Sequence, residues 1–119
     1  MAEVEQAFPG HRLEVIPESQ GGAYVIVYDL PIGNRYVLAT TWVGFLITFQ
    51  YPYADVYPHF VRADLRHADG TSLPGGFSGP TTWQGRQALQ VSRRSNRWNA
   101  NADTAATKLA KVLNWIESV

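Results

Sequence analysis

Residues 85–98 read Gly-Arg-Gln-Ala-Leu-Gln-Val-Ser-Arg-Arg-Ser-Asn-Arg-Trp. Leu89 and Val91 alternate with polar neighbours, so a short extended piece runs through Ala88. A polar run carrying Arg93, Arg94 and Arg97 follows it, and Trp98 closes the stretch. Arg86 adds a fourth positive charge, and no acid lies between residues 70 and 102. A run of this kind usually marks a solvated face. Its functional reading is a dock for a protein tail that carries a carboxylate or acidic side chains, because guanidinium forks match carboxylate geometry.

Downstream, Ala105, Leu109, Val112, Leu113 and Ile116 recur at helical spacing, with Lys108, Lys111 and Glu117 placed elsewhere around the helix. Asn101 or Asp103 is the expected cap. Trp115 departs from the apolar stripe and is a candidate for a partner surface. Upstream, residues 68–85 hold five glycines and two prolines. That density of breakers predicts no regular element, and a loop of such length is functional or mobile.

Earlier in the chain, Leu13–Pro17, Ala23–Leu30, Arg35–Ala39 with Thr41–Gln50, and His59–Leu65 carry alternating or β-branched runs. Val43, Phe45, Ile47 and Phe49 should share one face. Residues 3–8 allow at most a short helix, ended by Pro9-Gly10. The expectation is one α+β domain over residues 1–119. It is an antiparallel four-stranded β-meander packed by the C-terminal helix.

Composition narrows the function. The chain has 119 residues, 45% hydrophobic, with a formal net charge of zero. A core is feasible without staples, and a general nucleic-acid-binding surface is not indicated. There is no cysteine, which excludes disulfides, thiolate metal sites and thiol catalysis by this chain. The first twenty residues hold Glu3, Glu5 and Glu14 and no long apolar run, unlike a signal peptide. No stretch approaches a membrane span. A cytoplasmic domain without membrane contact, metal or cofactor is expected.

The order of landmarks carries further information. A strand meander is followed by Tyr51-Pro52, then Tyr57-Pro58, His67, the irregular loop, Gly85-x-x-Ala88-Leu89, Trp98 and a helix. This order resembles the ubiquitin-conjugating-enzyme fold from about residue 12 to residue 118, most closely its bacterial members. The resemblance implies a carrier that accepts a ubiquitin-like protein from an activating enzyme as a thioester at position 88. It then passes the modifier to an amine. A thiolate suits that chemistry because it is nucleophilic near neutral pH and leaves readily.

Position 88 is alanine here, which is cysteine without its sulfur. Either a natural cysteine has been replaced, or the chain is a naturally inactive relative that holds a ubiquitin-like partner. An unrelated small β-rich adaptor is the remaining alternative. His67 falls where the family carries the histidine of its His-Pro-Asn motif, but Ala68 and Asp69 follow it. The oxyanion-stabilising asparagine is therefore missing. A loop-anchoring role for His67 is favoured over a catalytic one.

Arg86, Arg93, Arg94, Arg97 and Trp83 are the candidate binding residues, for the activating enzyme or the ubiquitin-like protein. Trp98 takes the family's usual tryptophan position and is read as structural. Ser92 and Ser95 have no visible activating base and are read as loop residues. The family's N-terminal helix normally contacts the activating enzyme; about six residues are available for it here.

Overall fold

The computed structural model describes residues 2–119. Helix α1 (Ala2–Ala7) precedes strands β1 (Leu13–Pro17), β2 (Ala23–Pro31), β3 (Thr40–Ile47) and β4 (His59–Arg62). Strands β5 (Phe77–Trp83) and β6 (Arg86–Val91) follow, and helix α2 (Ala105–Ser118) ends the chain. All six strands pair antiparallel in the order β1-β2-β3-β4-β6-β5. The expected meander is therefore the first four strands of a larger sheet.

The two added strands come from the segment with the most breakers. Gln84 and Gly85 both take positive φ, +49° and +75°, which makes a two-residue hairpin turn whose twist matches the flanking strands. The register of β5 shifts between Ser78 and Thr81, around Pro80, which has no amide to donate. Such a strand belongs at a sheet edge, and β5 is an edge. The loop proper is confined to the residues before Phe77. The expected strand at Arg35–Ala39 reduces to one bridge, Tyr36 to His67.

The sheet buries one face against the helices. Val25, Val27, Val43, Phe45, Val61 and Val91 are fully buried there, with Leu109, Val112 and Ile116 of α2. Alternation along β3 holds for Val43, Phe45 and Ile47 and ends before Phe49, which is exposed. Thr104, rather than Asn101 or Asp103, caps α2. Its hydroxyl accepts from the Thr107 amide at 3.1 Å, and the Thr107 hydroxyl accepts from the Thr104 amide at 2.9 Å. Asp103 instead accepts from the Asn99 amide at 2.7 Å.

The opposite sheet face is closed by the chain's own aromatics. Trp83 stacks on Phe60 and Trp42 with ring centroids 5.0 and 6.1 Å away, and meets Tyr24 edge-on. The ring lies directly over Gly44, where an added Cβ would come within 2.2 Å of it. Glycine at 44 is thus what lets the hairpin fold over the sheet.

Candidate functional site

Position 88 lies inside β6. Ala88 pairs with Arg62 of β4 on one side and Thr81 of β5 on the other. Its side chain has no exposed surface. Side chains of β6 stand out of the sheet plane, and Ala88 shares with its cross-strand partner Arg62 the face on which Trp83 stacks. A thiol there would need a path past those neighbours to reach a carbonyl. Gly79 lets β5 approach the β6 backbone closely, since a Cβ there would sit 3.2 Å from the Ala88 carbonyl oxygen.

His67 is also an interior group. Its ring packs on Tyr36 at 5.1 Å, and Nδ1 lies 2.9 Å from the Thr71 hydroxyl. That hydroxyl donates to Asp69 at 2.6 Å. The histidine thus contacts the start of the 68–76 loop through a side-chain hydroxyl, not the backbone. Its Nε2 is buried without a partner among the described residues.

Two distant landmarks meet. The Trp98 indole N–H donates to the Pro52 carbonyl at 2.6 Å. The Tyr51 hydroxyl donates to Glu3 of α1 and accepts from the Ala105 amide of α2 at 2.9 Å. Burial and the Glu3 bond push the Tyr51 phenol up to about 12. Tyr51-Pro52 is thus the clasp between both helices and the loop that carries Trp98, and Trp98 is structural as expected.

The four arginines separate. Arg86 sits at the hairpin end of β6, beside Tyr28 and Trp42, where it donates to the Tyr28 hydroxyl at 3.1 Å and faces Glu14 at 3.9 Å. It serves the closed face of the sheet, as does Trp83, so neither joins a common dock. Arg93, Arg94 and Arg97 line a groove of about 510 Å³ between the 92–97 loop and α2, with Lys111 and Trp115 on the far wall. Arg93 lies over the Trp115 ring at 4.8 Å, and Arg94 over the Tyr57 ring at 4.2 Å.

Beneath this groove lies a polar network. Asp55 accepts from the Ser95 amide and hydroxyl at 2.8 and 3.0 Å. The Lys108 ammonium lies 3.1 Å from each Asp55 oxygen and 2.7 Å from the Ser95 oxygen. Lys108 is only 4% exposed. Burial pushes the Asp55 carboxyl up, but the bonds from Ser95 and Lys108 outweigh it and hold the group below its ordinary range. Deeper still, His59 is fully buried and neither ring nitrogen has a partner among the described residues. Burial and the Lys108 charge push it down to about 3, so it is neutral at physiological pH.

Sequence reasoning read Ser95 as a loop residue and did not connect it to Asp55 or Lys108. The available signal was Lys108 itself. It falls on the same helical face as Ala105, Leu109 and Val112, and a lysine on a buried face requires a partner.

The chain thus presents a six-stranded antiparallel sheet with a C-terminal helix, tied by the Tyr51-Pro52 segment and Trp98. A family model described as prokaryotic E2 family E matches residues 7–119, and the chain belongs to that family. No curated protein and no solved structure matches the chain. Among the described residues, no helix is long and apolar enough to cross a membrane.

Proposed function

We propose that this chain is a docking member of a bacterial conjugation pathway. It binds the activating enzyme and the ubiquitin-like protein of that pathway without carrying the modifier as a thioester. The observation that supports this reading is the state of position 88: alanine, fully buried, within a paired strand of a chain that has no cysteine. The carrier role implied by the resemblance needs a thiolate and a path to it. Ser95, the hydroxyl at the groove, is engaged by Asp55 and Lys108 and holds the loop in place.

Gel filtration of this chain with its cognate activating enzyme, the ubiquitin-like protein and ATP tests the reading. Co-elution with either protein is expected, with no covalent adduct on a non-reducing gel. A covalent adduct on this chain, or no co-elution with either protein, would overturn it.

A further inference from the structure

Arg93 and Arg94 are charged groups without a charged partner. Among the described residues, neither they nor Arg97 form an ion pair or a side-chain hydrogen bond. The two acids near the groove are already engaged. Asp55 is bound by Ser95 and Lys108, and Asp103 lies 3.6 Å from Lys111 while accepting from the Asn99 amide. An unneutralised group of arginines on a chain of zero net charge is a local feature of this groove, not a consequence of composition.

The guanidiniums are also preset. A guanidinium resting on an aromatic ring uses its face and keeps its in-plane N–H donors for another group. Trp115 and Tyr57 provide those rings. Immediately after the two arginines, the backbone is fixed at Ser95, whose amide and hydroxyl are both held by Asp55 over the buried Lys108. The loop is therefore anchored where a mobile arginine loop would not be, and less ordering remains for a ligand to impose.

We propose that this groove is a binding site for an acidic segment of a partner polypeptide, with Arg93 and Arg94 gripping carboxylates and Trp115 giving an apolar wall. Ser95 and Asp55 are positioning residues that hold the arginine loop. The apolar wall and the zero net charge favour a polypeptide over nucleic acid, which is held by a broad positive field. The site stands apart from the conjugation reading, because it can be assayed with this chain alone.

A fluorescein-labelled hexaglutamate peptide, followed by polarisation at low salt, is the probe. Saturable binding is expected, weakening by about tenfold or more at ~0.5 M salt. The double variant R93E/R94E should lose about tenfold or more, while Arg12→Glu at the far edge of the sheet should stay within about twofold. Ser95→Ala and Tyr57→Leu keep every charge; each should lose about threefold to tenfold, because the loop or the fork is no longer preset. Circular dichroism confirms that each variant is folded, and Ser95→Ala and Tyr57→Leu are independent routes to the same result.

Absence of saturable binding would overturn the site. Equal losses in Arg12→Glu and R93E/R94E would reduce it to a general field effect. Unchanged affinity in both Ser95→Ala and Tyr57→Leu would remove the positioning claim. Tighter binding of a single-stranded hexanucleotide than of the peptide would overturn the polypeptide as occupant.

Discussion

Strand β6 and the loop that follows it are neighbours in sequence and opposites in environment. Ala88 is enclosed between two strands, while Arg93 and Arg94 a few residues later are exposed and unpaired. The strand residue has no exposed surface and is paired on both sides. Within the loop, Ser95 is tied to Asp55 and Lys108, while the Arg93 and Arg94 guanidiniums have no charged partner among the described residues. In a chain whose resemblance directs attention to position 88, the surface we propose for recognition lies just beyond it.

The contrast should appear first in stability. Ala88→Glu forces a larger carboxylate side chain into a site with no exposed surface, beside an Arg62 whose guanidinium is already held by Asp64, and should abolish cooperative unfolding or cost ~4 kcal/mol or more. R93E/R94E should stay within about 1 kcal/mol of the parent, since each exposed change is usually within ~0.5 kcal/mol. Thermal melts followed by circular dichroism measure both. Equal losses would show that the loop is as integral to the fold as the strand.

The network below the loop should fall next. Lys108→Ala removes the cation that Asp55 faces and empties a buried site, so a loss of roughly 3 kcal/mol is expected in urea denaturation. A change below ~1 kcal/mol would show that Ser95 alone satisfies Asp55. A smaller effect, ~2 kcal/mol, is expected for Gly44→Ala, whose new methyl displaces the Trp83 ring. Tryptophan emission should shift to the red as that ring leaves the sheet.

The pH dependence isolates His59. Its folded-state value of about 3 lies below the ordinary value of 6.5. Between these values the unfolded chain takes up a proton that the folded chain refuses. Stability is therefore complete above about pH 6.5 and falls with acid at up to ~1.4 kcal/mol per pH unit. Urea midpoints from neutral pH down to about 4.5, compared with those of His59→Phe, should show a shallower slope in the variant. Identical slopes would mean that the buried imidazole does not set the acid limb.

Much of the fold was readable because its signals are local. Val43, Phe45 and Ile47 show the strand period, and Leu109, Val112 and Ile116 show the helical one. β5 was not readable, because its residues are glycine, proline and exposed threonines at an edge, where pairing with β6 supplies what propensity does not. The type of turn at Gln84-Gly85 depends on two dihedral angles that glycine permits but does not announce. Thr104 won the cap because Asp103 was drawn back to the Asn99 amide.

The site was legible in parts. The run Arg93, Arg94 and Arg97 was visible as charge, but Arg86 belonged elsewhere, since β6 carries it to the hairpin end of the sheet. Position 88 was singled out by its spacing, yet spacing does not report burial, which depends on how β4, β5 and β6 pack around it. Asp55 meets Ser95 across 40 residues of chain, a contact set by the packing of three separate elements.

The central claim is that position 88 is closed to chemistry in this chain, and thiol accessibility tests it most directly. Ala88→Cys and Arg94→Cys each give a protein with a single thiol, because the parent chain has none. With an aromatic disulfide reagent under native conditions, the thiol at 94 should react within seconds to minutes. The thiol at 88 should react only once denaturant is added, tracking unfolding. Equally rapid reaction at both positions in the folded proteins would contradict the account and return position 88 to the role of an acyl carrier.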